Sequence, residues 1–254
     1  MEFRGFSWTI HPGFEESPAT GVPSLLQGEA GGLTGSPHTL DNTQTSSAKH
    51  GTPMIDRSFF ETDPLTCARA MIGCELIWAD SAGIIVETEA YAATGDEAAH
   101  TFLRPSARRF VAERPAGSLY VYLNYGMHWL LNFLVIGSAA RGFVLVRALQ
   151  PIKGIDLMRT RRGLSAERSL CSGPGKLTQA LAIDGSVHGQ DVFALPYARL
   201  NAALCAAAVE TDLRVGITKS AEREWRFLLK GSPFVSVPKR KPAPELPEAG
   251  TNPP

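Results

Sequence analysis

Residues 84–91, IIVETEAY, constrain this chain more than any other stretch, because they alternate with the period of a β-strand. Ile85, Glu87, Glu89 and Tyr91 are expected on one face, and Ile84, Val86, Thr88 and Ala90 on the other. The second set is an ordinary core face. The first sets two carboxylates and a phenol side by side, which packing alone does not call for. Gly95 and Asp96 then break the pattern, and an Ala-rich turn ends at His100. A carboxylate, a tyrosine and a histidine this close in sequence can form the wall of a polar pocket. Taken alone, the stretch is more simply a strand whose wet face carries two solvated glutamates, since antiparallel sheets commonly keep one face in water.

Residues 119–136, LYVYLNYGMHWLLNFLVI, predict a hairpin: strand 119–123, a turn at Asn124-Tyr125-Gly126, and strand 127–136. Tyr120 and Tyr122 share a face. Tyr125 falls at the tip, where Asn, Gly or Asp is usual. An aromatic exposed there gains little for folding and points to contact with something outside the chain. The plainer alternative is a Tyr folded back over its own hairpin.

The chain has 254 residues, enough for one large domain or two small ones, and its hydrophobic fraction of 44% can fill a sizeable core. No apolar run is long enough to span a membrane, and the start lacks the apolar segment of a secretory signal, so a cytoplasmic protein is expected. Cys67, Cys74, Cys171 and Cys205 form no CxxC pair and read as reduced, mostly buried thiols. The histidines are scattered, with no metal-ligand cluster. Net charge is zero but unevenly spread. Residues 1–53 carry −3, whereas residues 141–176 hold eight cations against two acids. Arg104, Arg108, Arg109 and Arg114 stand against Glu113 alone. Local positive charge suits a nucleic-acid surface, although a solvated basic helix face would look the same.

Residues 1–53 are rich in Gly, Pro, Ser and Thr and read as a disordered extension, with Met54 a candidate start codon; residues 238–254 read as a disordered tail. Between them lies one predicted domain, 54–237. It opens with a helix capped by Thr62 or Asp63, started by Pro64 and ended by Gly73. A hairpin follows, 74–79 and 84–91 over a turn at 80–83. Further strands are expected at 142–149 (stopped by Pro151), 213–218 and 225–229, and helices at 152–162 and 173–183. Strands and helices do not alternate regularly, which predicts an α+β fold with an antiparallel or mixed sheet and packed helices.

VETEAY, EAAH, LYVYLNYGMHWLLN, LVRALQP, CSGPGKLTQALAI and GSPFVSV occur in that order, and together they resemble the alkyladenine (3-methyladenine) DNA glycosylase family from about Arg57 to Val237. The resemblance implies a curved antiparallel sheet with surrounding helices. It implies a monofunctional hydrolase, without cofactor or metal, that removes alkylated purines from double-stranded DNA as a monomer and so begins base excision repair; hypoxanthine is a further candidate substrate. The setting would be cytoplasmic and nucleoid-associated. Glu89 matches the catalytic base that activates water, and Glu87 is read as its structural neighbour, paired to an Arg. Tyr91, His100 and Tyr122 match the pocket that stacks and hydrogen-bonds a flipped base, with Asn132 at its floor. Tyr125 matches the residue that intercalates through the minor groove, and Met127 its neighbour. Arg147 matches a base or phosphate contact, with backbone phosphates favoured. Lys176, after Gly173-Pro174-Gly175, would touch a DNA phosphate at a helix start. Singly, each has a plainer reading: His100 a loop histidine, Asn132 a strand-edge residue, Arg147 an ion pair.

One loop departs from the family. Where the family has Thr-Pro-Arg-Asn, this chain has Ser106-Ala107-Arg108-Arg109 followed by FVAERPAG, which leaves the DNA contacts there open. Three other functions compete. A non-catalytic lesion binder would not need Glu89. A lyase would use Lys176 as a Schiff-base nucleophile. A carbohydrate hydrolase built on Glu87 and Glu89 fails on geometry, because i and i+2 on one strand lie ~7 Å apart but point the same way.

Overall fold

The structure, a computed structural model, describes residues 53–203 and 205–240. The predicted extension 1–53, apart from Pro53, and residues 241–254 of the predicted tail fall outside the described residues. Arg240 donates its backbone N–H to Asp212 at 3.0 Å.

Helix α1 (Pro64–Ala70) begins as expected: the Asp63 carboxylate accepts from the N–H groups of Leu65 and Thr66, and Pro64 occupies the first turn. Strands β1 (Glu75–Trp78) and β2 (Ser81–Ala92) follow. Their turn is tighter than the expected 80–83, because Trp78 already pairs with Ser81 and residues 81–83 are buried in the ladder. Two short helices, α2 (His100–Leu103) and α3 (Pro105–Glu113), were not anticipated; α3 carries Ser106-Ala107-Arg108-Arg109.

The hairpin forms as β3 (Leu119–Asn124) and β4 (His128–Ile136). Strand β5 (Arg141–Lys153) then runs past Pro151, which was expected to stop it. Pro151 removes a ladder donor, but the pairing with β4 ends at Leu145, so no second neighbour loses a bond there. Helices α4 (Ile155–Arg162) and α5 (Pro174–Leu181) and strands β6 (Ala198–Asn201), β7 (Val209–Asp212) and β8 (Arg226–Leu229) complete the domain. Residues 213–218 are not the expected strand. Their backbone and side chains bond instead to Glu89 and Asp96.

The result is an α+β domain on one eight-stranded sheet of order β3-β4-β5-β2-β1-β6, with β8 beside β2 and β7 beside β8. Every named pair is antiparallel, so the mixed-sheet alternative drops out. The far edge of β2 is divided. Residues 81–84 pair with β1, and Glu87, Thr88 and Glu89 pair with β8. The register with β5 shifts on both sides of Glu87. A shift of this kind turns side chains to the other face. Ile85, expected beside the glutamates, therefore packs in the same core as Ala90.

From there the two faces separate cleanly. Thr88, Ala90, Leu119, Val121, Leu131, Phe133, Val144 and Val146 are buried toward α1 and α5; Phe60 stacks on Phe133 at 5.3 Å. The alternate residues on the same four strands face the other way. There Tyr120, Leu134 and Phe143 pack under Ala107, Phe110 and Val111 of α3, and the rest line a cavity.

Candidate active site

The cavity has a volume of about 350 Å³. Its wall is the second sheet face: Tyr91 from β2, Tyr120 and Tyr122 from β3, Asn132 from β4, Leu145 and Arg147 from β5. His100 closes one side, Tyr125 the hairpin side, and residues 215–217 a third. Pro174, opening α5, also reaches it. Gly175 permits that approach, since a Cβ there would lie 2.7 Å from the Cβ of His128. Gly175 thus serves the packing of α5 against β4.

Beneath the wall lie the two glutamates, both fully buried and not on a wet face. β8 pairs beside them, the segment before it reaches Glu89 through Val215, and the segment after it reaches Glu87 through Ser236. Glu89 accepts three hydrogen bonds: from the Val215 N–H at 2.7 Å, from the Tyr91 hydroxyl at 2.7 Å and from Arg147 Nη1 at 3.2 Å. Glu87 is tied to Arg147 Nε and Arg226 Nε, each at 2.8 Å, and to the Ser236 hydroxyl at 2.7 Å. Arg226 also meets Asp212 at 3.1 Å. Buried charges persist only when paired in this way. The two carboxylates are thus distinguished by their partners: two guanidinium groups bind Glu87, whereas Glu89 keeps a shared arginine, a phenol and a backbone donor.

Burial, the neighbouring Glu89 charge and its hydrogen bond to Glu89 hold the Tyr91 hydroxyl well above its ordinary range, so it remains a donor. Behind its ring, Arg214 sits 4.7 Å from the centroid and forms a buried pair with Asp96. Burial first, and then the Arg104 charge, lower His100 to about 4, so its imidazole is neutral at neutral pH. Its Nδ1 lies 3.0 Å from the Tyr120 hydroxyl and its ring 4.3 Å from that of Tyr122. Burial raises the Tyr122 hydroxyl as well. Asn132 donates its amide nitrogen to the Tyr120 carbonyl at 3.0 Å, which turns the amide oxygen away from that strand.

Tyr125 is 76% exposed and sits at φ +50°, followed by Gly126 at +69°. Met127 is exposed beside it and outside the cavity lining. Lys176 is exposed on the first turn of α5, also outside the lining. Arg147, expected at a base or a DNA phosphate, lines the cavity and is engaged with protein groups. It is 6% exposed and spends its guanidinium on Glu87, Glu89 and Ser236. Sequence reasoning missed Val215, Arg214 and Ser236 as supports of the site. The GSPFVSV motif contains Ser236, but nothing local marks the other two. Among the described residues no cluster of His, Cys, Asp and Glu suits a metal ion. No described helix is long and apolar enough to cross a membrane.

Residues 58–233 match the family model described as methylpurine-DNA glycosylase. A protein of Agrobacterium fabrum is 46% identical over 184 residues, covering 72% of this chain and 93% of its own. One from Nitrosospira multiformis is 43% identical over 190 residues, covering 75% and 96%. A Rhodopseudomonas palustris relative is 45% identical over 186 residues, covering 73% and 92%. All three are provisionally named 3-methyladenine DNA glycosylases.

The match over residues 58–233, with relatives of this identity and coverage, makes the chain a hydrolase of N-glycosyl bonds in DNA. The chain belongs to the methylpurine-DNA glycosylase family.

Proposed function

We propose that the protein, as a monomer on double-stranded DNA, flips out alkylated purines of the 3-methyladenine type and releases them by water attack, beginning base excision repair. The observation that carries this is Glu89, a carboxylate held dry by three donors under the aromatic cavity. A carboxylate has about four lone-pair directions, so one remains for a water. Glu89 takes a proton from that water as its oxygen bonds to C1′. The C1′–N bond breaks and its electrons leave with the base. A purine already cationic from alkylation departs neutral without further protonation. Tyr91, His100 and Tyr122 stack on the base, and their electron-rich faces favour a cation. Neutral His100 can also hydrogen-bond a neutral purine, which keeps hypoxanthine a candidate.

Tyr125 fills the gap left in the duplex, with Met127 beside it, and Lys176 meets a backbone phosphate. Arg147 orients Glu89 and is not assigned to a phosphate. The test is release of bases from methylated DNA and from a hypoxanthine-containing duplex. Wild-type protein should release methylpurines. Glu89→Gln should bind the same DNA and release at least about a hundredfold less. A Glu89→Gln rate near wild type would remove Glu89 from the chemistry.

A further inference from the structure

The chain after β8 turns back over the carboxylate cluster and touches it through Ser236. The Ser236 Oγ lies 2.7 Å from Glu87 Oε1 and 3.3 Å from Arg147 Nη2, and its backbone N–H donates to Glu87 Oε2. Arg147 reaches Glu87 through Nε and Glu89 through Nη1. A hydroxyl has one proton. Given to Glu87, it leaves the Ser236 oxygen to accept from Nη2. Each of the three guanidinium nitrogens then has its own partner, and a planar group held at three points has no freedom to turn.

We infer that Ser236 is a positioning residue for base release: its hydroxyl locks Arg147 in the orientation that keeps one N–H on Glu89. The inference rests on the reading of Glu89 as the carboxylate that activates water. Ser236 lies outside the residues 58–233 that the family model matches. Without the hydroxyl, Nη2 is a buried donor lacking this partner, which is costly. Turning toward Glu87 relieves it, because arginine and carboxylate pair well through two parallel bonds. Glu89 would then keep Tyr91 and Val215 but lose its cation. A carboxylate that loses a cationic neighbour takes up a proton more readily.

Wild type, Ser236→Ala and Ser236→Thr are compared on methylated duplex DNA with enzyme in excess, from about pH 5 to about pH 9. Ser236→Ala should release methylpurines about tenfold more slowly, with the acid limb of its pH–rate profile moved to higher pH. Its Kd for a duplex carrying a stable abasic-site analogue should change by less than about twofold. Ser236→Thr keeps the hydroxyl and should restore both rate and limb. The backbone N–H on Glu87 survives in every variant, so the fold is retained; melting curves check this. An unmoved acid limb in Ser236→Ala, or a Thr variant as slow as the Ala variant, overturns the inference and leaves the glycosylase reading standing. Wild-type protein that releases no base overturns that reading, and the inference falls with it.

Discussion

Glu87 and Glu89 are two residues apart on one strand, yet their surroundings divide their work. Glu87 faces two arginines, and the role proposed for it is that of a structural anion. Glu87→Gln should spare base release far more than Glu89→Gln does, while lowering stability by about 3 kcal/mol, the cost of breaking a buried pair. Chemical denaturation together with single-turnover rates checks both; equal loss of activity in the two variants would reverse the roles. His100 makes a different prediction. Its value is lowered to about 4 in the folded protein, chiefly by burial, and returns to about 6.5 on unfolding. Between these values the unfolded chain binds a proton that the native one does not. Stability is therefore lost as pH falls through that window. Melting temperatures measured from about pH 7 to about pH 4 should fall less steeply in His100→Asn than in wild type. Asn132 borders the cavity with its nitrogen bound to Tyr120. The role proposed for its amide is to exclude the 2-amino group of guanine, a discrimination that would be worth roughly 1–3 kcal/mol. Asn132→Ser should raise guanine release from undamaged duplex relative to lesion release. An unchanged ratio makes Asn132 a strand residue only.

At the scale of elements, the hairpin tip carries the clearest conflict between folding and use. Tyr125 and Gly126 both have positive φ, and the Met127 N–H bonds to the Asn124 carbonyl at 3.1 Å. The loop between the paired Asn124 and His128 thus holds two successive left-handed residues, positions that favour Asn and Gly. A tyrosine in the left-handed region costs about 1–2 kcal/mol, which a residue chosen for folding would not incur. Tyr125→Gly should therefore leave the melting temperature unchanged or higher, yet weaken capture of the flipped state. A fluorescent base analogue opposite the lesion reports that capture; an undiminished signal would exclude Tyr125 as the wedge. The hairpin was legible because its turn signal and alternation are local. The change of face between Ile85 and Glu87 was not legible in the same way. The register shift at Glu87 arises where β2 exchanges β1 for β8, and alternation along β2 alone holds no record of it.

For the whole molecule, the sheet has one face for the core and one lined by the cavity. Lys176 is exposed at the start of α5 and lies outside the cavity lining. Borohydride present during turnover should accordingly trap no covalent protein–DNA adduct. A trapped species lost in Lys176→Ala would establish lyase chemistry instead. The sequence by itself determined the α+β class, the Tyr-rich hairpin, and the identity of Glu89, Tyr91, His100, Tyr122 and Asn132 as candidates, because strand period, turn chemistry and ordered motifs are properties of neighbouring residues. Only the tertiary structure decided that both glutamates are dry, that Arg147 is buried against them, and that Val215 and Ser236 complete the cluster. Those bonds join residues 58, 126 and 149 positions apart. Contacts over such separations are set by which strands meet across the sheet, and no local period encodes that.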